Sequence, residues 1–136
     1  MTRKKNELEE ELILNPQFSK RGGILPVVVQ ETSTGQILML ASINEEALNK
    51  TLETQLATFW STSRNTLWTK GETSGDMLKI DNVLIDCDQD ALVYQVTLLG
   101  EGVCHTYKRN GNHRKACFYR ELNTNQKDLQ FIKGMQ

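Results

Sequence analysis

Short apolar runs punctuated by turn residues constrain this chain most. "ILPVVVQ" (24–30) leads through "TSTG" (32–35) into "QILMLAS" (36–42), which reads as strand, turn, strand. "LATFWST" (56–62) and "TLWTK" (66–70) flank the turn "SRN". "MLKIDNVLID" (77–86) and "ALVYQVTLLG" (91–100) are two further strands, and "ACFYREL" (116–122) is a last one. One stretch keeps helical spacing instead. Asn44 is a good N-cap, Glu45 and Glu46 suit the first turn, and Ala47, Leu48, Thr51 and Leu52 share a face, so 45–55 is a short amphipathic helix. Residues 1–20 are polar and partly helical, with Leu8, Leu12 and Ile13 on one side, and 123–136 is a polar tail. The expectation is an α+β domain, mostly antiparallel β-sheet with a short helix, built on hairpins.

Composition excludes several classes. A chain of 136 residues suits one domain with a real core. A net charge of −1 argues against a general nucleic-acid binder, which needs an excess of Lys and Arg. No apolar run approaches a membrane span. The start, "MTRKKNELEEELILNPQF", lacks the apolar core of a secretory signal, so a cytoplasmic location is expected.

Chemistry concentrates in "IDCDQDALVYQV" (85–96), where Asp86, Asp88 and Asp90 surround Cys87. In an extended segment the three carboxylates share one face, with Cys87 and Gln89 on the other. Like charges so close repel and raise each other's proton affinity, a cost that a hard divalent cation removes. A solvated acidic turn is the plainer reading. An EF-hand is excluded, because Ala91 and Thr97 stand where Gly and Glu are needed.

Cys87, Cys104 and Cys117 are three soft ligands. An isolated cysteine is usually a small buried apolar residue. Here each lies beside Asp, His or basic residues, and an odd cysteine count in a cytoplasmic protein favours thiols or metal ligands over disulfides. Three protein ligands and one open position is the format of a catalytic zinc site, which lowers the pKa of a bound water. His105, next to Cys104, is the candidate base. His113 sits mid-loop among Lys108, Arg109, Arg114 and Lys115.

The segment "SRNTLWTKGETSGD" (63–76) gathers Arg64, Lys70, Ser74 and two glycines beside Trp68. Cations, hydroxyls and backbone N–H groups at such a loop make an anion cradle, and an indole offers a surface for a base. A solvated hairpin with a packed tryptophan is the competing reading. Taken together, the three constellations describe a pocket for a phosphorylated aromatic small molecule.

"TGQILMLASIN", "WSTSRNTLWTKGETSGD", "DCDQDALVYQV" and "CHT…CFYREL" closely resemble phosphoribosyl-AMP cyclohydrolases of histidine biosynthesis. The resemblance spans about residues 22–122 and places the cyclohydrolase domain at 21–122, between the N-terminal segment 1–20 and the tail 123–136. It implies hydrolysis of the N1–C6 bond of the adenine ring in 1-(5-phosphoribosyl)-AMP. It implies an intertwined homodimer with active sites at the subunit interface. It implies zinc held by Cys87 of one chain and Cys104 and Cys117 of the other, and magnesium at Asp86, Asp88 and Asp90. It implies substrate contacts from Arg64, Trp68, Lys70, Glu72, Ser74 and Gly75; His105, which adjoins a candidate zinc ligand, is the first candidate to move protons and Glu72 the second. The family pattern C-H-T-G-x-x-S-C-F is interrupted here by Tyr107 and a longer loop, "CHTYKRNGNHRKACF". Its "NGN" signals a hairpin that keeps the two cysteines close, although His113 then becomes a candidate fourth ligand. Two other readings carry their own signatures. A zinc nucleobase or nucleoside deaminase needs H-x-E and P-C-x-x-C, neither of which occurs. A non-catalytic zinc-stabilised binding module needs a closed four-ligand site.

Overall fold

The computed structural model describes residues 5–136, with side chains from Glu7 onward. The elements run α1 (Lys5–Glu10), β1 (Leu25–Glu31), β2 (Ile37–Ile43), α2 (Glu45–Thr54), β3 (Thr58–Ser61), β4 (Thr66–Thr69), β5 (Leu78–Ile85), β6 (Leu92–Leu98), β7 (Arg120–Asn123) and β8 (Asp128–Phe131). The architecture is α+β and mostly sheet, as the periodicity predicts. No helix among the described residues is long and apolar enough to cross a membrane.

Four strands form the main sheet in the order β2-β1-β6-β5. Hairpins supply the outer pairs, β1–β2 and β5–β6, both antiparallel. The central pair is the exception in a mostly antiparallel sheet: β1 and β6 run parallel, from Val27 opposite Leu92 to Glu31 opposite Val96. Parallel neighbours require a long crossover. Here α2 and the β3–β4 hairpin fill it, so the two hairpins are joined by a connection no local turn signal marks.

One face of this sheet holds the core. Leu25, Val27, Val29, Leu92, Tyr94 and Val96 alternate inward and are fully or nearly fully buried. They meet Ala47 and Leu48 of α2 and Phe59 of β3, whose ring lies 5.0 Å from Trp68 on β4. The opposite face carries a cross-strand row, Leu40, Val28, Val93 and Leu84, set in register by the three strand pairings. Its ends, Leu40 and Leu84, are exposed.

Asn44 caps α2 as its sequence position predicts, its side-chain oxygen accepting the Ala47 N–H at 2.8 Å. The helix stops where Gln55 takes a left-handed φ of 63° and donates its N–H to the Thr51 carbonyl. Thr51 is buried and joins helix to sheet. Its hydroxyl accepts the Thr58 N–H at 3.0 Å and lies 2.9 Å from the Ala47 carbonyl and 3.1 Å from the Thr58 carbonyl.

Both ends of the chain depart from expectation. Helix α1 ends at Glu10, so Leu12 and Ile13 fall beyond it and are exposed, while Leu8 is half-buried. Residues 1–4 of the segment expected to be partly helical lie outside the described residues. The segment then packs onto the β5–β6 turn. Asn15 N–H donates to the Gln89 side chain at 2.7 Å, Gln17 N–H to the Gln89 carbonyl at 2.7 Å, and a turn of 3-10 helix, Phe18–Arg21, follows. Lys20 and Arg21 then reach Asp88 and Asp90. At the other end the last strand starts at Arg120, later than "ACFYREL" predicts, and the supposed polar tail contains β8. Strands β7 and β8 are short and largely exposed, and although Asp128-Leu129-Gln130-Phe131 alternates, Leu129 and Phe131 stay open to solvent.

Two measurements check these contacts. Thr51→Val strands the buried Thr58 N–H and should cost about 1–3 kcal/mol in urea unfolding. Lys20→Met should weaken the clamp on the acidic turn. Asp90 is held well below the usual carboxylate range, mainly by its hydrogen bond from Lys20, and Lys20 is raised by the same contact. A lowered carboxylate stabilises above its unfolded pKa of about 4, and a raised ammonium stabilises below its unfolded pKa of about 10.4. The stability difference between wild type and Lys20→Met should therefore be fullest between those pH values and shrink as pH falls below about 4.

Candidate active site

Asp86, Asp88 and Asp90 do converge, but not by strand alternation. Strand β5 ends at Ile85 and β6 begins at Leu92, and a tight turn fills the gap. Asp86 N–H donates to the Ala91 carbonyl at 3.0 Å, Gln89 N–H to the Asp86 carbonyl at 3.1 Å, and Gln89 takes a φ of 55°. The Asp86 carboxylate accepts from the Asp90 and Ala91 N–H groups at 2.9 and 3.1 Å. Gln89 points inward and is buried. The three carboxylates offer oxygens within 4.8 Å of one another. Among the described residues, no other set of three or more His, Cys, Asp or Glu does so. Lys20 places its ammonium 3.0 Å from Asp88 Oδ2 and 2.9 Å from Asp90 Oδ2, and Arg21 Nη2 lies 3.2 Å from Asp90. Desolvation pushes the Asp86 carboxyl upward, and Asp88 adds to it. Sequence reasoning missed Lys20 and Arg21, since only the fold carries them to carboxylates 68–70 residues away.

The long loop between Cys104 and Cys117 is a hairpin, as "NGN" predicts. Val103 and Cys104 donate N–H to the carbonyls of Lys115 and Arg114, both at 3.1 Å. Arg114 N–H returns to the Thr106 carbonyl at 3.0 Å, and Tyr107 bridges His113 with rings 4.3 Å apart. The hairpin delivers Cys117 back to Cys104, and Cys117 N–H is pinned to the Leu38 carbonyl of β2 at 2.7 Å. The two thiols lie close enough to act on each other electrostatically. Desolvation of its sulfur, with Cys104 beside it, pushes the Cys117 thiol up to about 11, although the residue as a whole is exposed; Lys70 pulls it the other way.

Cys87 does not join them within one chain. It is exposed on the β5–β6 turn, whereas the thiol pair lies beside β2. The strand order puts these two to three inter-strand steps apart, each about 4.8 Å. Neither histidine completes a three-ligand group with the pair. His113 Nδ1 donates to the Cys104 carbonyl at 2.9 Å and braces the hairpin, and His105 is exposed beside Cys104. Thr106 is a neighbour that the sequence reading passed over. Its hydroxyl lies 2.9 Å from Cys104 Sγ and its N–H 3.5 Å from the same sulfur. The signal was present as a hydroxyl residue two positions after a cysteine.

The predicted anion cradle is a real concavity. Arg64, Trp68, Lys70, Glu72 and Ser74 line a cavity of about 350 Å³ over the β3–β4 hairpin and the loop after it. Gly71 makes the loop possible: its φ is +79°, and a Cβ there would collide with the Asp76–Met77 backbone. Gly75 sits in the turn rather than on the wall, its N–H donating to the Gly71 carbonyl at 2.7 Å. Glu72 accepts the Thr69 N–H at 3.2 Å and Ser74 Oγ accepts the Asp76 N–H at 3.3 Å. Lys70 Nζ lies 5.9 Å from the centre of the Trp68 indole. Because Lys70 also acts on the Cys117 thiol, cradle and thiol pair form one region. A groove of about 450 Å³ between residues 14–19 and α2 has Glu45 as the charged residue on its wall and suits no phosphate.

Comparison with known proteins agrees. The family described as Phosphoribosyl-AMP cyclohydrolase matches residues 39–119, a span containing the cradle, the acidic turn and all three cysteines. The phosphoribosyl-AMP cyclohydrolase of Desulfatibacillum aliphaticivorans is 47% identical over 97 residues, covering 71% of this chain and 78% of that protein. That of Hyphomonas neptunium is 47% identical over 109 residues, covering 80% and 77%. The histidine biosynthesis bifunctional protein HisIE of Thermus thermophilus is 49% identical over 112 residues, covering 82% of this chain and 49% of its own length. With matches this extensive, the chain belongs to the phosphoribosyl-AMP cyclohydrolase family.

Proposed function

We propose that this hydrolase of histidine biosynthesis opens the adenine ring of 1-(5-phosphoribosyl)-AMP at its N1–C6 bond, using zinc held by three thiols from two chains. The observation that carries this reading is the apposition of Cys104 and Cys117 beside the Lys70 end of the cradle. Two free soft donors near each other suit zinc, and a third exposed thiol, Cys87, waits on the opposite edge of the sheet. A second copy is the natural source of that third thiol, since one chain's own fold keeps it away. The row Leu40, Val28, Val93 and Leu84 supplies apolar surface for such a homodimer.

Zinc held by these residues would supply a nucleophilic water near neutral pH. Arg64 and Lys70 hold phosphate, and Trp68 offers its indole to the purine. Water adds at C6, the C6–N1 bond breaks, N1 takes up a proton, and the 6-amino nitrogen stays as a carboxamide. His105, exposed beside Cys104, is placed to move the protons. Glu72 is already committed to the Thr69 N–H, which makes it a support for the loop as well as a second proton carrier. The Asp86, Asp88, Asp90 turn offers oxygen ligands that suit magnesium, which would displace the Lys20 ammonium from Asp88 and Asp90. A cytoplasmic setting follows from the pathway and the reduced thiols.

Turnover is tested by incubating the protein with 1-(5-phosphoribosyl)-AMP and following ultraviolet absorbance; ring opening without ammonia is expected, and ammonia release overturns the reaction assigned. Cys87→Ser and Cys104→Ser should each lose zinc and activity. Mixed and reassociated, they should regain about a quarter of wild-type activity, because half the dimers are mixed and each carries one intact site of two. No recovery would place all three thiols on one chain. Asp88→Asn should raise the magnesium concentration needed for activity while zinc content stays unchanged.

A further inference from the structure

We infer that Thr106 is a positioning residue for the Cys104 sulfur, its hydroxyl drawing charge from the thiolate and so tuning the metal that the thiols hold. The inference rests on the zinc reading above. Cys104 is buried, 4% exposed, and a buried thiolate needs donors to offset its lost hydration. Two converge on it from one residue, the Thr106 hydroxyl at 2.9 Å and the Thr106 N–H at 3.5 Å. A metal-bound thiolate has no proton to give, so the hydroxyl must then be the donor.

The arrangement is held rather than incidental. The Thr106 carbonyl accepts the Arg114 N–H, Cys104 N–H donates to the Arg114 carbonyl, and the Cys104 carbonyl accepts His113 Nδ1. The extended hairpin therefore fixes both ends of the Cys104–Thr106 segment. Its chemical consequence follows from the ligand set. Three thiolates donate more charge than imidazoles do and blunt a metal's power to activate water. Hydrogen bonds to sulfur withdraw part of that charge, and such outer contacts commonly carry 10–100-fold effects on affinity or activity. Thr106 thus answers the weakness inherent in an all-sulfur site.

The test uses the full-length protein loaded with Co²⁺, whose thiolate-to-metal charge-transfer absorption reports the charge on sulfur. Thr106→Val keeps the size and the backbone N–H but removes the hydroxyl, whereas Thr106→Ser keeps the hydroxyl. Thr106→Val should move the band to longer wavelength and lower kcat about tenfold with KM unchanged; Thr106→Ser should match wild type in both. A band that stays in place in Thr106→Val, or a Thr106→Ser protein that behaves like Thr106→Val, overturns the role of the hydroxyl while leaving the zinc reading intact. Absence of the band from the wild-type protein overturns the thiol site and this inference together.

Discussion

Parallel pairing of β1 with β6 is the constraint around which the molecule is arranged. Each hairpin alone would be a marginal two-stranded ribbon. Joined through Val27–Glu31 and Leu92–Val96, they make one sheet whose inner face buries Val27, Val29, Leu92, Tyr94 and Val96 against α2 and β3. The same pairing sets distances that matter for chemistry. It puts the acidic turn with Cys87 toward the β5 edge and leaves β2, to which Cys117 is pinned, at the other. The separation within one chain is thus a product of strand order.

Charge is managed differently at the two chemical centres. At the acidic turn the fold has already supplied counter-cations: Lys20 and Arg21 neutralise carboxylates that would otherwise repel, while Gln89 anchors residues 13–17 to the same turn. A hard metal at that turn must therefore compete with a built-in ammonium. At the thiol pair the problem is the reverse. Two sulfurs lie together in a desolvated spot, where the Cys117 proton is hard to remove without a cation nearby. Lys70 contributes part of that positive field, and Thr106 contributes hydrogen-bond donors. A soft divalent ion would supply the remainder by replacing protons at both sulfurs.

Reading the residues in order recovers the local elements well, because each carries its own physics. The N-cap at Asn44, the apolar runs of β1, β2, β5 and β6, and the "NGN" hairpin are all settled by neighbours close in sequence. The cradle is legible for the same reason, since Arg64 to Ser74 lie on one hairpin and its loop. Strand β8 escapes because it is solvent-exposed on both sides and buries no alternating face. The 86–90 segment was assigned the wrong conformation but the right outcome: a turn with Gln89 at positive φ also gathers the three carboxylates.

What the sequence by itself determined is therefore local: which segments form strands, and which donor side chains each segment carries. Those properties depend on side-chain type and on contacts a few residues apart. Tertiary structure alone decided the parallel β1–β6 seam, the meeting of Lys20 with Asp88 and Asp90, the seating of Gln89 beneath Asn15, and the exclusion of Cys87 from its own chain's thiol pair. Each of these joins residues far apart in the chain. Their energies come from burial and charge pairing that exist only after the crossover has closed, so no local pattern encodes them.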